Sequence, residues 1–237
     1  MNLKRKILLL LILLGAASLS AGTLRKEYRK TVDFVSGGLL VLNNTNGAVQ
    51  VDSWDREEVS ILAEIKVKAG SRKEAEELLD KVKITVERSG DRLYIEPDSP
   101  KHGGSGLLDF IFGNRKSVEV TFYLKVPAVT DVDLRSVNGA VEIENVAGKA
   151  ELKSTNGTIT ARDIEGALRV KTTNGRISAE MVDFSGNDDI RLRTTNGSVT
   201  LYLPEEVNSY VEVSTVNGSI HTDFPLTVNG KFNSKRI

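Results

Sequence analysis

Two histidines, His102 and His221, and no cysteine are all that this 237-residue chain offers to zinc or thiol chemistry. Zinc sites and Cys-His or Ser-His-Asp nucleophile systems need several such residues converging on one point, so they have almost no raw material here. Carboxylates are plentiful, and a pair of them flanking a glycosidic bond could cleave a polysaccharide if they converged. Asn187-Asp188-Asp189 could offer oxygens to calcium, although a short acidic bend reads first as a turn. The remaining chemistry is cationic. Arg135, Lys153, Lys171 and Arg193 recur in one setting, and Arg169 and Arg191 in a neighbouring one. Cations at a regular spacing could hold an extended anion.

These side chains are placed by a repeat. Asn138-Gly139, Asn156-Gly157, Asn174-Gly175, Asn196-Gly197 and Asn217-Gly218 follow one another at spacings of 18, 18, 22 and 21 residues, each preceded by Ser or Thr two positions before the Asn. An early copy, Asn46-Gly47, lies far upstream. A period near 20 with one supersecondary unit per copy indicates stacked β-units, because one unit cannot bury its own apolar face. Three residues before the first four of these Asn stand Arg135, Lys153, Lys171 and Arg193; five before all five stand Asp133, Glu151, Arg169, Arg191 and Glu212. At a matched position downstream stand Glu142, Thr160, Ser178, Thr200 and His221, which form no carboxylate cluster, so a non-catalytic chain is expected. Units stacked at about 4.8 Å would repel by about 1 kcal/mol per neighbouring like-charged pair in water, less with salt. The plain interpretation is a solvated face whose long stems shield the sheet, with Asp133 and Glu151 compensating locally. The functional one is a groove for an acidic polysaccharide or another envelope polymer.

Asn and Gly tolerate positive φ, so the dipeptide specifies a sharp corner, and between alternating strands it also signals a two-residue hairpin. A hairpin pairing Ser154 with Ile159 keeps the apolar set on one face as well as stacked units do. The recurring hydroxyl favours stacking, since Ser136, Ser154, Thr172, Thr194 and Thr215 would then form one ladder and the Asn residues another, each bonding to the next unit. The expected fold is all-β: a single-domain β-solenoid of 18–22 residues per repeat with one short covering helix. An antiparallel sandwich or meander is the alternative.

Taken in order, Lys4-Arg5-Lys6, the apolar run Ile7 to Leu14 and a small-residue stretch make residues 1–20 a signal peptide. The run falls short of the roughly 20 apolar residues of a membrane span, so no stable transmembrane helix is expected after cleavage. Residues 21–130 form the first part of the domain. Strands are expected at Thr31 to Val35 and Leu39 to Leu42 after a charged leader, Leu24 to Lys30, then over the alternating Val59 to Val67. Trp54 reads as a corner cover, because a lone indole makes a poor stacking site. Ser71 and Glu74 make a capping box for a helix over 71–82 that covers a sheet edge. Strands at Ile84 to Glu87 and Arg92 to Ile95 follow, then a loop over 97–116 rich in Gly and Pro with an apolar tip, Leu107, Leu108, Phe110, Ile111 and Phe112. That tip either folds back as a lid or contacts a partner. Val118 to Val126 is a clear strand ended by Pro127, and residues 131–237 carry the repeats, with Gly148, Gly166 and Gly186 at second corners.

Removing residues 1–20 leaves 29 basic against 32 acidic side chains, a net charge of −3, which draws the protein to neither nucleic acid nor an anionic membrane. Without cysteine, no disulfide braces it outside the cytoplasm.

The order of an early Asn-Gly-x-Val-x-Val followed by Trp54-Asp55, a Ser71-x-x-Glu74-Ala75-Glu76-x-Leu78 helix, a strand ending in Val126-Pro127, and then Thr-x-Asn-Gly repeats resembles a known family. It is the bacterial "putative adhesin" β-strand-repeat family of cell-envelope proteins, a domain of unknown function. The resemblance runs from about Val32 to Gly230. It implies a β-helix-like fold in an exported protein of the periplasm or cell surface, with no cofactor and no defined catalytic residues. Family members continue past the position of Asn229-Gly230 into a closing repeat, so this chain is either truncated or ends on an open edge through which it could self-associate. The function expected is adhesin-like binding or scaffolding in the envelope, with an anionic polysaccharide or an envelope protein as partner. The alternatives are a polysaccharide-active β-helix enzyme and an accessory regulator of envelope stress.

Overall fold

The structure is a computed structural model that describes residues 22–98, 116–183, 188–204 and 210–221. The expected signal peptide, most of the loop over 97–116 with its tip Leu107 to Phe112, His102, Gly186, Asn187 and the segment after His221 lie outside the described residues. The strands are β1 (Thr23–Asp33), β2 (Leu39–Asn43), β3 (Val49–Trp54), β4 (Glu58–Lys68), β5 (Lys83–Ser89), β6 (Arg92–Asp98), β7 (Ser117–Pro127), β8 (Asp131–Asn138), β9 (Val141–Glu144), β10 (Ala150–Asn156), β11 (Ile159–Glu165), β12 (Leu168–Lys171), β13 (Ile177–Asp183), β14 (Asp189–Asn196), β15 (Val199–Tyr202), β16 (Tyr210–Asn217) and β17 (Ile220–His221), with α1 (Arg72–Lys81) between β4 and β5. The protein is all-β with one helix.

Two open sheets share the core. One has the order β1-β4-β7-β3-β9-β11-β13-β15-β17, the other β16-β14-β12-β10-β8-β2-β6-β5. Each Asn-Gly pair joins a strand of the second sheet to a strand of the first, and consecutive copies pair in parallel and in register, Ser154 beside Ser136 and Ile159 beside Ile177. β10 therefore pairs with β8 and β12 rather than folding back on β11, which removes the antiparallel meander. The early copy, β2 and β3, sits directly beside β8 and β9, and β6 and β7 form the next layer outward. Among the described residues the antiparallel pairs are β1 with β4, β4 with β7 and β5 with β6, all at the amino-terminal end of the stack.

Alternation drives this arrangement. Val132, Leu134, Leu152, Val170, Ile190 and Leu192 from one sheet face Val141, Ile143, Ile159, Ala161, Ile177 and Val199 from the other, all essentially buried, so each copy covers its neighbour's apolar edge. α1 starts with one half of its expected capping box: the Ser71 side chain accepts from the Glu74 N–H, while Glu74 Oε2 accepts from the N–H of Gly70, one residue before the cap, at 3.2 Å. Ala75 and Leu78 are buried, and the helix packs on β1 and β4. The expected leader, Leu24 to Lys30, is instead part of β1, which pairs with β4 along its whole length. As an outermost strand it carries Arg25, Lys26, Glu27, Arg29 and Lys30 without violating the sheet's pattern, and charge on an edge discourages further pairing. Pro97 and Asp98 likewise close β6 rather than open a connector.

Candidate functional site

The Asn-Gly corners come first, because they hold everything else in register. Each Asn amide donates to the Asn carbonyl oxygen of the preceding copy: Asn138 to Asn46 at 2.9 Å, Asn156 to Asn138 and Asn174 to Asn156 at 2.8 Å, Asn196 to Asn174 at 2.7 Å and Asn217 to Asn196 at 2.8 Å. The hydroxyls do not bond to one another as expected. Ser154, Thr172, Thr194 and Thr215 donate to the backbone carbonyls of Gly139, Gly157, Gly175 and Gly197 at 3.0–3.1 Å, and Ser136 reaches Gly47 at 3.5 Å. A buried carbonyl is the better acceptor, since leaving it unpaired would cost more than a hydroxyl pair would return. In the early copy Asn44 takes the hydroxyl's place, and its amide reaches both Gly47 O and Val120 O.

The glycines are required for close approach, not chiefly for positive φ. A Cβ on Gly139, Gly157, Gly175 or Gly218 would stand 1.9–2.0 Å from the carbonyl oxygen of the glycine in the preceding copy, although none of these four has φ in the left-handed region. Within the repeats positive φ falls on the second corners, at Asn145 (58°), Gly148 (131°), Asp163 (51°) and Gly166 (96°), and on two of the Asn-Gly glycines, Gly47 (116°) and Gly197 (155°).

On the outward face of the eight-stranded sheet the basic columns form as the alignment predicts. Arg135, Lys153, Lys171 and Arg193 stand in successive register, and beside them run Asp133, Glu151, Arg169, Arg191 and Glu212. Between them lies a shallow groove of about 350 Å³ lined by Lys153, Arg169, Lys171, Arg191, Arg193 and Glu212 among others. Pairing divides the columns. Arg135 makes a two-pronged bond to Asp133 at 2.9 and 2.6 Å, which raises its pKa, and Lys153 bonds Glu151. That bond from Lys153 holds the Glu151 carboxyl below its ordinary value. Arg169 and Arg191 share Asp189, at 3.3 and 3.0 Å, and Arg191 lies over the Tyr210 ring at 5.8 Å. Arg169 Nε is buried without a partner among the described residues. Lys171 and Arg193 make no side-chain hydrogen bond or ion pair among the described residues. The groove is therefore neutralised toward β8 and positive at β12 and β14.

Asp189 was read in the sequence only as part of an acidic bend, and Tyr210 was not singled out. They lie seven positions before Asn196 and Asn217, on a third column in register with each other, and extending the alignment two residues further upstream would have exposed both. Other expected positions bear no ligand-like geometry. Trp54 donates its Nε1–H to Glu58 O at 2.8 Å and is covered by Arg56, consistent with a corner cover. Glu142 is paired with Arg162. A depression of about 400 Å³ on the other sheet mixes Arg25, Lys26, Glu64 and Glu119, with Lys66 and Glu119 closed on each other at 2.9 Å. Among the described residues no group of three or more acidic or histidine side chains could hold a metal ion, and no helix is long and apolar enough to cross a membrane.

The family model described as Toastrack DUF4097 matches residues 109–237. No curated protein matches the chain. Among solved structures, a cell adhesion protein from Clostridium sporogenes, described as putative, is 14% identical with a TM-score of 0.47, over 83% of this chain and 97% of that one. A "putative adhesin" from Bacteroides fragilis is 13% identical with a TM-score of 0.36, over 82% of this chain and 96% of that one. A "putative lipid binding protein" from Parabacteroides distasonis is 12% identical with a TM-score of 0.27, over 82% of this chain and 95% of that one.

Proposed function

The chain belongs to the Toastrack DUF4097 family, and from that premise we propose an exported, adhesin-like protein of the bacterial cell envelope that binds or scaffolds and does not catalyse. Residues 1–20 are its signal peptide and 21–237 one β-solenoid domain. Parallel, in-register pairing of successive copies supports the solenoid. The ligand is an anionic envelope polysaccharide lying in the groove over β12 and β14.

One observation carries this reading: Lys171 and Arg193 stand in register with no ion-pair partner among the described residues, while the cations on either side of them are already paired. Two adjacent uncompensated cations on a rigid sheet repel each other, and an anion placed between them relieves that repulsion. The ligand therefore engages the centre of the row rather than its full length. Arg135 and Lys153, expected in the same row, are held by their own carboxylates.

The test exchanges Lys171→Gln and Arg193→Gln together and, separately, Arg135→Gln and Lys153→Gln. Retention on an immobilised acidic glycan is measured at low and high salt, with circular dichroism as the check of folding. The first pair should weaken retention about tenfold at low salt and the second pair much less, since an exposed charge contact contributes roughly 0.2–1 kcal/mol. Retention that neither pair alters, or that salt does not touch, overturns the groove as the binding surface.

A further inference from the structure

The repeat charges its two outward faces with opposite sign. β12 and β14 carry two cations each, Arg169 with Lys171 and Arg191 with Arg193, and Asp189 is their one carboxylate. β9, β11 and β13, in the other sheet, carry two carboxylates each, and Arg162 is their one cation. The bond to Glu142 raises the Arg162 pKa, and the nearby carboxylates of Glu144 and Glu180 add to it. Beyond the bulge in β11, Glu165 stands in register with Asp183, and both are exposed. The two sheets press their apolar sides into one core. Their charged sides therefore look in opposite directions.

A face of one sign favours a partner of the other sign whose charges recur at the same pitch. On the nine-stranded sheet Val141 stands beside Ile159 and Ile159 beside Ile177. On the eight-stranded sheet Leu152 stands beside Val170 and Val170 beside Leu192. Both faces are thus ruled by one spacing, that of neighbouring strands, about 4.8 Å. The surface that meets the cations strand for strand is the opposite face of a second copy of this chain. Such a partner is also already rigid, so docking orders little beyond the charged side chains themselves.

We infer that the chain associates with itself face to back, the cations of β12 and β14 in one copy docking on the acidic strands β9, β11 and β13 of the next. The contact joins two different surfaces, so each added copy presents a cationic face at one end and an acidic face at the other, and the assembly grows without closing. Charge steers the encounter and salt screens it. Lys171 and Arg193 would also hold the proposed glycan, so the two partners exclude each other. The self-contact does not depend on the glycan and is tested without it.

Sedimentation velocity on the full chain, over a concentration series at low salt, should show an average mass that grows past the dimer. Raising the salt to about 0.5 M should move the half-association concentration up by at least about tenfold. Two variants each reverse one face, Lys171→Glu with Arg193→Glu and Glu144→Lys with Glu180→Lys, with circular dichroism as the check of folding. Either alone should stay monomeric where the parent associates. Mixed in equal amounts they should associate again, because the acidic strands of the first meet the intact cations of the second and the two reversed faces meet each other. If a reversal does not fold, the neutral pair Lys171→Gln with Arg193→Gln takes its place and should weaken association several-fold. A parent that stays monomeric at low salt, a mass that stops at the dimer, association untouched by the substitutions, or a mixture that stays monomeric would each overturn the inference.

Discussion

The Asn-Gly corners and the outward face of the eight-stranded sheet repeat at the same spacing, yet they are built on opposite rules. At the corners every copy carries the same Asn-Gly pair behind neutral residues, and bonds run from copy to copy. On the outward face the residue changes from copy to copy, Asp133, Glu151, Arg169, Arg191 and then Glu212, and many of the ion pairs stay within one strand. The corner stays nearly constant because each copy is the binding site for the next: a neighbouring carbonyl nearly touches the glycine, and the position aimed at that carbonyl keeps a donor, Ser or Thr in the repeats and Asn44 in the early copy. The face contacts only solvent, so its side chains are free to differ and to be positive at one place. Sameness within the chain thus marks support, and variation marks where recognition can reside.

The largest effect that would break this contrast belongs to the glycines. Gly157→Ala puts a Cβ 2.0 Å from Gly139 O, so the copies must separate, at a cost of about 3 kcal/mol or a failure to fold. Gly37→Ala meets no heavy atom within 4 Å and suffers only from its φ of +79°, about 1 kcal/mol. Urea unfolding midpoints compare the two. Similar losses would mean that backbone conformation, not close approach, governs the corners.

The distinction between the two glycines could not be read from the sequence. Positive φ and close approach both call for glycine, and only the parallel register shows which one operates at Gly157. The same limit applies elsewhere. Alignment of the copies placed Lys171 beside Arg193 correctly, because register follows from the period. It also anticipated that Asp133 and Glu151 compensate locally, but not that Arg169 and Arg191 would share Asp189 and leave Lys171 and Arg193 unpaired among the described residues, because that pairing depends on side-chain direction. The capping box of α1 and the alternation of β4 were legible because both are local patterns. β1 was misjudged over Leu24 to Lys30 because an edge strand is freed from alternation, and the position of β6 and β7 outside the early copy is a long-range choice with no local signal.

A smaller effect separates the buried hydroxyl column from the exposed threonines that flank it. Thr194 is 1% exposed and donates to Gly175 O at 3.0 Å. Thr194→Val keeps the shape, leaves that carbonyl unpaired and should cost about 1–2 kcal/mol. Thr195→Val, one residue on and exposed, should stay within about 0.5 kcal/mol. Equal urea midpoints for the two variants would show that the hydroxyl column contributes no net stability and that the Asn amides alone hold the corner.

The smallest effect concerns protons, and it sharpens the contrast because the corner column contains nothing that titrates. On the face, the bond from Lys153 holds the Glu151 carboxyl below its ordinary value, with Lys149 and Arg135 adding to the same direction against partial burial. A carboxyl whose folded pKa is depressed binds its proton less readily than in the unfolded chain. Its stabilising contribution is therefore complete above the ordinary carboxylate range and is lost as pH falls through the lowered folded value. Glu151→Gln should be less stable than the parent near neutral pH by an amount within the roughly 0–1 kcal/mol of exposed ion pairs. The gap should close as the solution is acidified and shrink in high salt. Urea midpoints of the two proteins across that pH range give the answer: a gap that persists in acid would assign the role of Glu151 to packing of its stem against the sheet, and the face would then be held partly by the same pH-indifferent contacts as the corners.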